Sequence, residues 1–300
     1  MQKQPKTLIK NTANLFNNAI VMIVLISVLF STIVNIISNV TKIELQVITK
    51  SSVYICLTYT MSSIALFSAL VIYSFNNKKP LKTLFECEKP TNKSVIATLL
   101  ITIGMIFGLS NVNNIIFELA KNLGLNVTSP SLPQFSFISF VVILIFVCIM
   151  PPLLEEVIFR NILFKDFSKN GTILAIIITS IMFSLYHMSL TQTIYQLIVG
   201  VLFSLILLGG GNYILTAIAH FINNLFIVLN YYFFNITFSQ EIGVVITILG
   251  LISLVLGIVL LFINNKKEIV KYQSGSVKDI IFSSILGLSI CILFWVVGIF

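Results

Sequence analysis

The sequence predicts an all-α protein, a polytopic bundle of about eight or nine transmembrane helices with its N-terminus in the cytoplasm. Composition is the first reason, because 57% of the 300 residues are hydrophobic and only 9% are charged. Soluble domains carry about a quarter charged residues. The second reason is length, since several apolar runs reach the roughly twenty residues that a helix needs to cross a bilayer. The third is the position of the lysines, which lie in short segments between those runs.

Nine apolar segments account for the predicted spans. They are 14–39, 53–75, 94–117, 134–159 or longer, 172–188, 191–208, 212–235, 241–263 and 280–299. The first span is too long for the apolar region of a signal peptide, and no A-x-A cleavage site follows it, so we expect it to be retained. We divide the chain into N-terminal helices at 1–133, a core at 134–235 that carries every polar motif, and C-terminal helices at 236–300.

The basic residues indicate the orientation of the bundle. If every segment crosses the membrane, most of the basic residues lie on one side of it, and the positive-inside rule assigns that side to the cytoplasm. These residues are Lys3, Lys6, Lys10, Lys78, Lys79, Lys82, Lys89, Lys93, Arg160, Lys165, Lys169, Lys266, Lys267, Lys271 and Lys278. Only Lys42, Lys50 and Lys121 fall on the other side. Orientation explains the net charge of +8, so we expect membrane lipid, and no nucleic acid, as a partner.

The residue usage favours a bacterial origin and gives no cysteine-based site. Isoleucine, asparagine and lysine are frequent and Arg160 is the only arginine, a bias typical of an AT-rich genome. We therefore expect a multi-pass protein of the bacterial plasma membrane. The four cysteines have no metal-binding spacing. They are Cys56, Cys87, Cys148 and Cys291.

The stretch PPLLEEVIFR, residues 151–160, places three charges inside an apolar run. Glu156 and Arg160 are four residues apart, so on a helix they share a face and can form an ion pair. Glu155 lies about 100° away around the helix and is less neutralised. It is the better candidate for a base or a metal ligand. The preceding pair of prolines should kink the helix and free backbone groups.

Two histidines are predicted to lie near this stretch. His187 follows the turn at Asn170–Gly171 by about as many residues as Glu155 precedes it, so an antiparallel helical hairpin brings both to a similar depth. His220 lies about two turns into the seventh span, and Asn224 follows it at i+4. A carboxylate, two imidazoles and an amide can thus meet in the cytoplasmic half of the membrane.

The same residues form three motifs on three separate predicted spans. They are Glu155-Glu156-x-x-x-Arg160, Phe183-x-x-x-His187 and His220-x-x-x-Asn224. This set resembles the signature motifs of the CPBP or Abi family, which are intramembrane proteases related to the type II CAAX prenyl endopeptidases. The resemblance covers about residues 134–235.

The resemblance implies a role for each of these residues. Glu155 and His187 would activate the attacking water, and His220 and Asn224 would bind the oxyanion of the tetrahedral intermediate. Alternatively, Glu155, His187 and His220 would ligate zinc, since one carboxylate and two imidazoles with an open position are a common catalytic zinc set. No carboxylate is evident in the sequence near either histidine, which favours the metal-free alternative.

The remaining motif residues have supporting roles in this interpretation. Glu156 and Arg160 would hold the helix, and Phe183, four residues before His187, would pack against the imidazole. The resemblance implies an endopeptidase that acts from the cytoplasmic side on a membrane-associated protein or peptide.

Two other classes of function stay open. One is a non-catalytic membrane scaffold or bacteriocin self-immunity protein with the same fold. The other is a proton-coupled transporter that uses Glu155 and the histidines as a relay. The two related halves that are typical of many transporters are not visible in this sequence.

Overall fold

The computed structural model describes residues 6–125, 131–236, 238–263 and 269–298, and every regular element in these ranges is helical. Lys3, Lys266 and Lys267, which the orientation argument includes, lie outside the described residues. Two short helical turns, Leu45–Thr49 and Leu81–Phe85, lie in loops. The nine long helices of the described ranges are α1 Lys6–Thr41, α2 Ser52–Asn76, α3 Asn92–Asn122, α4 Phe137–Ser168, α5 Thr172–Tyr186, α6 Leu190–Leu208, α7 Tyr213–Phe234, α8 Gln240–Phe262 and α9 Ser276–Val297.

Eight of these helices are long and apolar enough to cross a membrane. The exception is α5, whose 15 residues make an apolar helix about 22 Å long at 1.5 Å per residue. The predicted fold class is confirmed: the protein is an all-α, multi-pass membrane protein. Which end faces the cytoplasm stays a prediction.

The loops that follow α2, α4, α6 and α8 lie at one end of the bundle. There the Thr91 N–H donates to the Gly210 carbonyl at 3.2 Å. The Thr172 N–H donates to the Val270 carbonyl at 3.0 Å. Because these loops and the start of α1 carry most of the lysines, we call this the lysine-rich end.

The other loops lie at the opposite end, which we call the lysine-poor end. The Tyr59 hydroxyl donates to the Ser131 carbonyl at 3.0 Å, and the Tyr232 hydroxyl donates to the Pro133 carbonyl at 2.9 Å. Successive helices therefore run in alternate directions between the two ends. This arrangement sets the depth at which each motif residue lies.

Helices α3 and α8 cross closely at glycines. A Cβ atom on Gly250 would lie 2.3 Å from the backbone nitrogen of Gly108, which is closer than real Cβ contacts allow. Lipid provides little hydrophobic drive for helix association, so close backbone packing at small residues replaces it. The glycines thereby hold α8 against α3.

Helix α4 is not a regular α-helix. Leu144–Ile149 and Val157–Phe164 are π-helical, and Met150–Glu156 forms an α-helical turn between them. Pro151 and Pro152 lie at the start of that turn. Proline has no N–H and clashes with the carbonyl four residues earlier, so the preceding hydrogen bonds must change. The structure thus contains the break that the prolines predict, directly before the charged residues.

Helices from all three predicted segments contribute to one buried core. Phe16 of α1 packs edge-on against Phe159 of α4, with ring centroids 6.3 Å apart. Leu254 of α8 belongs to the same buried set. The helix that carries the charged motif is therefore held from several sides.

Candidate active site

The charged residues of α4 are buried. Glu155 is 5% exposed, and Glu156 and Arg160 are completely enclosed. An unpaired charge in such surroundings is strongly destabilising. The partners of these three groups therefore define the site.

Glu156 contacts two motif residues at once. Its Oε2 atom lies 3.2 Å from Nε of Arg160, which is the ion pair expected from the i,i+4 spacing. Its Oε1 atom lies 3.5 Å from Nδ1 of His220. The sequence predicts no carboxylate beside either histidine, and for His220 this prediction is wrong. The supporting carboxylate is Glu156, and it reaches His220 from another helix.

Arg160 is enclosed by aromatic rings as well as paired with Glu156. Its guanidinium carbon lies 4.2 Å from the ring centroid of Phe183 and 5.4 Å from that of Phe203. The faces of aromatic rings attract a cation, most strongly where water is excluded. The carboxylate and the rings together make a buried arginine tolerable here.

His187 is held by a backbone carbonyl. The residue follows directly after the last turn of α5, and its Nδ1 atom lies 2.8 Å from the Phe183 carbonyl oxygen. A carbonyl oxygen only accepts hydrogen bonds, so Nδ1 must carry the proton. In the neutral ring this leaves Nε2 with a free lone pair. His187 is thus oriented as a base or a ligand through Nε2.

The ring of Phe183 contacts both histidines. Its centroid is 5.0 Å from that of His187 and 6.1 Å from that of His220. The predicted packing of Phe183 against His187 is present. The same ring also joins α5 to α7 and covers the guanidinium of Arg160.

Glu155 differs from its neighbour in having no ion-pair partner within 4 Å among the described residues. Its Oε2 atom is buried and has no hydrogen-bond partner in the described part of the chain. His220 and Tyr186 are its polar neighbours. Buried polar atoms are nearly always satisfied, so an unsatisfied oxygen marks a place for water, an ion or a substrate group.

Asn224 is tied to the break in α4. Its Nδ2 atom donates to the Val147 carbonyl at 3.0 Å. That carbonyl is four residues before Pro151, which has no N–H to donate to it. The amide of Asn224 therefore occupies the acceptor that the proline leaves free. A second N–H on the same nitrogen remains for another partner.

Asn223 and Tyr195 extend this polar group away from α4. The Tyr195 hydroxyl donates to Oδ1 of Asn223 at 2.8 Å. Nδ2 of Asn223 in turn donates to Oδ1 of Asn224 at 3.4 Å, a longer contact. A polar chain thus leads from α4 through α7 to α6.

The structure brings the predicted residues together on three helices. Those that meet around the Phe183 ring and the Glu156 carboxylate are Glu155, Glu156, Arg160, Phe183, His187 and His220, and Asn224 is joined to α4 through Val147. Sequence reasoning does not find Phe203 and Tyr195 on α6. Both resemble ordinary aromatic core residues in the sequence.

The residue types of the site suit a metal as well as a water. Nε2 of His187 and the unsatisfied Oε2 of Glu155 are oxygen and nitrogen donors of the kind that zinc accepts. Nδ1 of His187 is hydrogen-bonded to a backbone carbonyl and Nδ1 of His220 lies 3.5 Å from a carboxylate oxygen, and such neighbours are common for histidine ligands. Among the described residues, no three histidine, cysteine, aspartate or glutamate side chains are grouped as a ligand set.

Comparison with known families finds a match to the central helices. The model of the family described as type II CAAX prenyl endopeptidase Rce1-like matches residues 137–226. The match covers α4, α5, α6 and most of α7, and it includes every motif residue. The resemblance drawn from the three motifs is confirmed. Searches of curated proteins and of solved structures found no match.

Proposed function

From the Rce1-like character of the central helices, we propose that the protein is an intramembrane endopeptidase. It hydrolyses a peptide bond of a membrane-associated protein or peptide. The observation that carries the proposal is that both histidines contact the Phe183 ring, with His220 beside the buried Glu155 carboxylate, whose Oε2 atom has no hydrogen-bond partner among the described residues. This is a place where a water would find two acceptors.

Glu155 and His187 activate the water. One proton of the water passes to the Glu155 carboxylate as its oxygen attacks, and the other O–H donates a hydrogen bond to Nε2 of His187, whose orientation follows from the bond between Nδ1 and Phe183. The water oxygen then attacks the carbonyl carbon of the substrate. A positioned base of this kind contributes about 10²- to 10⁴-fold to a rate. As the intermediate collapses, the C–N bond breaks and the same groups return a proton to the leaving amine.

His220 and Asn224 stabilise the oxyanion. Asn224 has one N–H to spare, since the other donates to Val147. Nδ1 of His220 lies 3.5 Å from Oε1 of Glu156, and Nε2 is the atom that donates to the oxyanion in this proposal. Donors fixed before the reaction cost no reorganisation when charge develops.

Glu156 and Arg160 position these groups without touching the substrate. Glu156 balances the buried guanidinium and orients His220. The ring of Phe183 keeps both imidazoles and the guanidinium at fixed separations. Rigid support of this kind is what a preorganised site requires.

A zinc version of the site is the second candidate. The observation that favours it is the Nδ1 partner of each imidazole, a carboxylate for His220 and a backbone carbonyl for His187. Glu155, His187 and His220 would hold the ion. Zinc would make a bound water more acidic.

The proposal is tested by comparing peptides in cells that produce the wild type or Glu155→Gln. We expect a precursor to accumulate, and its cleaved form to disappear, in the variant. Glu118→Gln is the matched control, because Glu118 is exposed on α3 and lies outside the site. Identical peptide populations in wild-type and Glu155→Gln cells would overturn the proposal.

A further inference from the structure

A large cleft lies beside the candidate active site, between α3, α7 and α8. Its volume is about 1170 Å³. Its walls come from the second half of α3, the second half of α7 and the first half of α8. All three portions belong to the lysine-poor half of the bundle. The sequence predicts an enzyme that works from the cytoplasmic side, whereas this cleft lies in the opposite half.

The cleft reaches the site through two residues. Tyr195 and Asn223 line it, and they are joined by the hydrogen bond at Oδ1 of Asn223. Asn223 also contacts Asn224, the proposed oxyanion donor. A molecule in the cleft would therefore lie next to the reacting groups.

The chemistry of the walls is neutral and rich in amides. No aspartate, glutamate, lysine, arginine or histidine is among the described residues that line the cleft. Its amide side chains are Asn111, Asn114, Asn223, Asn230, Asn235 and Gln240. An amide both donates and accepts hydrogen bonds. It therefore matches a peptide backbone, which has the same two kinds of group.

We propose that this cleft binds an uncharged, extended segment of the substrate and leads it to the site from the lysine-poor half. The inference rests on the proposed endopeptidase function and names the substrate class. In an apolar environment the backbone groups of an extended segment need partners, and the amides supply them. A free terminal carboxylate would need a cation, and the described walls hold none. The segment is therefore internal to the substrate.

The size of the cleft and its amides favour a peptide over a lipid chain. Pockets for small molecules span about 300–1,000 Å³, so this cleft can hold several residues. An acyl chain would leave unused the hydrogen-bonding groups of the wall amides that the protein does not already pair, which is costly when they are buried under the ligand. A peptide satisfies them.

Gly243 of α8 offers a way to fill the cleft without disturbing the fold. It lines the cleft, and a Cβ atom added there would meet only the Cβ of Phe238, at 3.9 Å. Its helical position also favours other residues over glycine. Gly243→Phe should therefore fold. Val245→Phe is the matched control, because Val245 is 55% exposed on the same helix and does not line the cleft.

Binding is measured on the purified full chain carrying Glu155→Gln, so that the probe is not consumed. The probe is a fluorescent decapeptide of leucine and serine, acetylated at its N-terminus and amidated at its C-terminus. Its twin ends in a free carboxylate. We expect the capped probe to bind at least as tightly as the twin. Gly243→Phe should weaken its binding at least tenfold, and Val245→Phe should change it less than twofold.

Three results would overturn the inference. They are undiminished binding by Gly243→Phe, no binding of the capped probe to the Glu155→Gln chain, and binding of the carboxylate twin that is tenfold tighter than that of the capped probe. Displacement of the probe by oleate at lower concentration than by unlabelled peptide would likewise indicate a lipid site.

Cleavage in cells separates the two proposals. Glu155-dependent cleavage that survives Gly243→Phe would refute the cleft and leave the endopeptidase standing, whereas cleavage that does not depend on Glu155 would refute the proposed active site.

Discussion

Oε1 of Glu156 lies 3.5 Å from Nδ1 of His220. This contact connects α4 to α7 through a carboxylate whose other oxygen pairs with Arg160. Adjacent glutamates thus have different surroundings, since Glu155 has no such ion-pair partner among the described residues. The difference separates a residue that can act on water from one that holds the site together.

Exchange of each glutamate for glutamine should separate chemistry from stability. Glu155→Gln should abolish cleavage with almost no change in the melting temperature of the purified protein. Glu156→Gln should lower the free energy of unfolding by about 3 kcal/mol, because it leaves the guanidinium of Arg160 buried without its counter-charge. Thermal unfolding in detergent and cleavage in cells measure the two effects. Substantial activity in Glu155→Gln would show that the base is another group.

Replacement of the whole ion pair should restore stability without restoring activity. In Glu156→Leu/Arg160→Met both members of the ion pair are removed, so neither is left as an uncompensated charge, and apolar substitutes for a buried pair are often neutral or stabilising. We expect the double variant to melt well above Glu156→Gln. Cleavage should stay low, because His220 no longer has a carboxylate at Nδ1. Recovery of activity together with stability would limit Glu156 to a structural role.

Metal analysis distinguishes the two versions of the chemistry. The proposed reaction uses protein groups alone, so we expect purified protein to lack stoichiometric zinc and to keep its activity after strong chelation. One zinc ion per chain, lost together with activity in His187→Ala, would instead make His187 and His220 ligands. Zinc content is read independently of turnover, so an inactive preparation still gives an answer.

The orientation of the bundle can be measured with an impermeant thiol reagent. The four native cysteines are first replaced by alanine. In intact cells, Lys121→Cys at the lysine-poor end should be labelled, because its side chain is exposed near the end of α3. Lys165→Cys, exposed at the lysine-rich end, should react only after the cells are opened. Labelling of position 165 from outside would reverse the predicted orientation and place the cleft on the cytoplasmic side.

The sequence by itself determined the class of the protein, the order of its helices and the motif residues. Hydropathy over twenty residues is a local property, and so is the i,i+4 spacing that pairs Glu156 with Arg160. The break before Glu155 is equally local, because Pro151 lacks an N–H whatever surrounds it. Rare polar residues in apolar helices stand out without any knowledge of packing.

Only the tertiary structure decided what those residues touch. The contact of Glu156 with His220, the rings of Phe183 and Phe203 around Arg160 and the bond from Asn224 to Val147 all join helices that are distant in the chain. The cleft likewise exists only where three helices diverge. In a membrane protein the lipid tails are as apolar as the core, so hydrophobicity by itself does not reveal which helix faces meet. The helix crossings therefore determine how the motif residues, which are recognisable in the sequence, come together in one site.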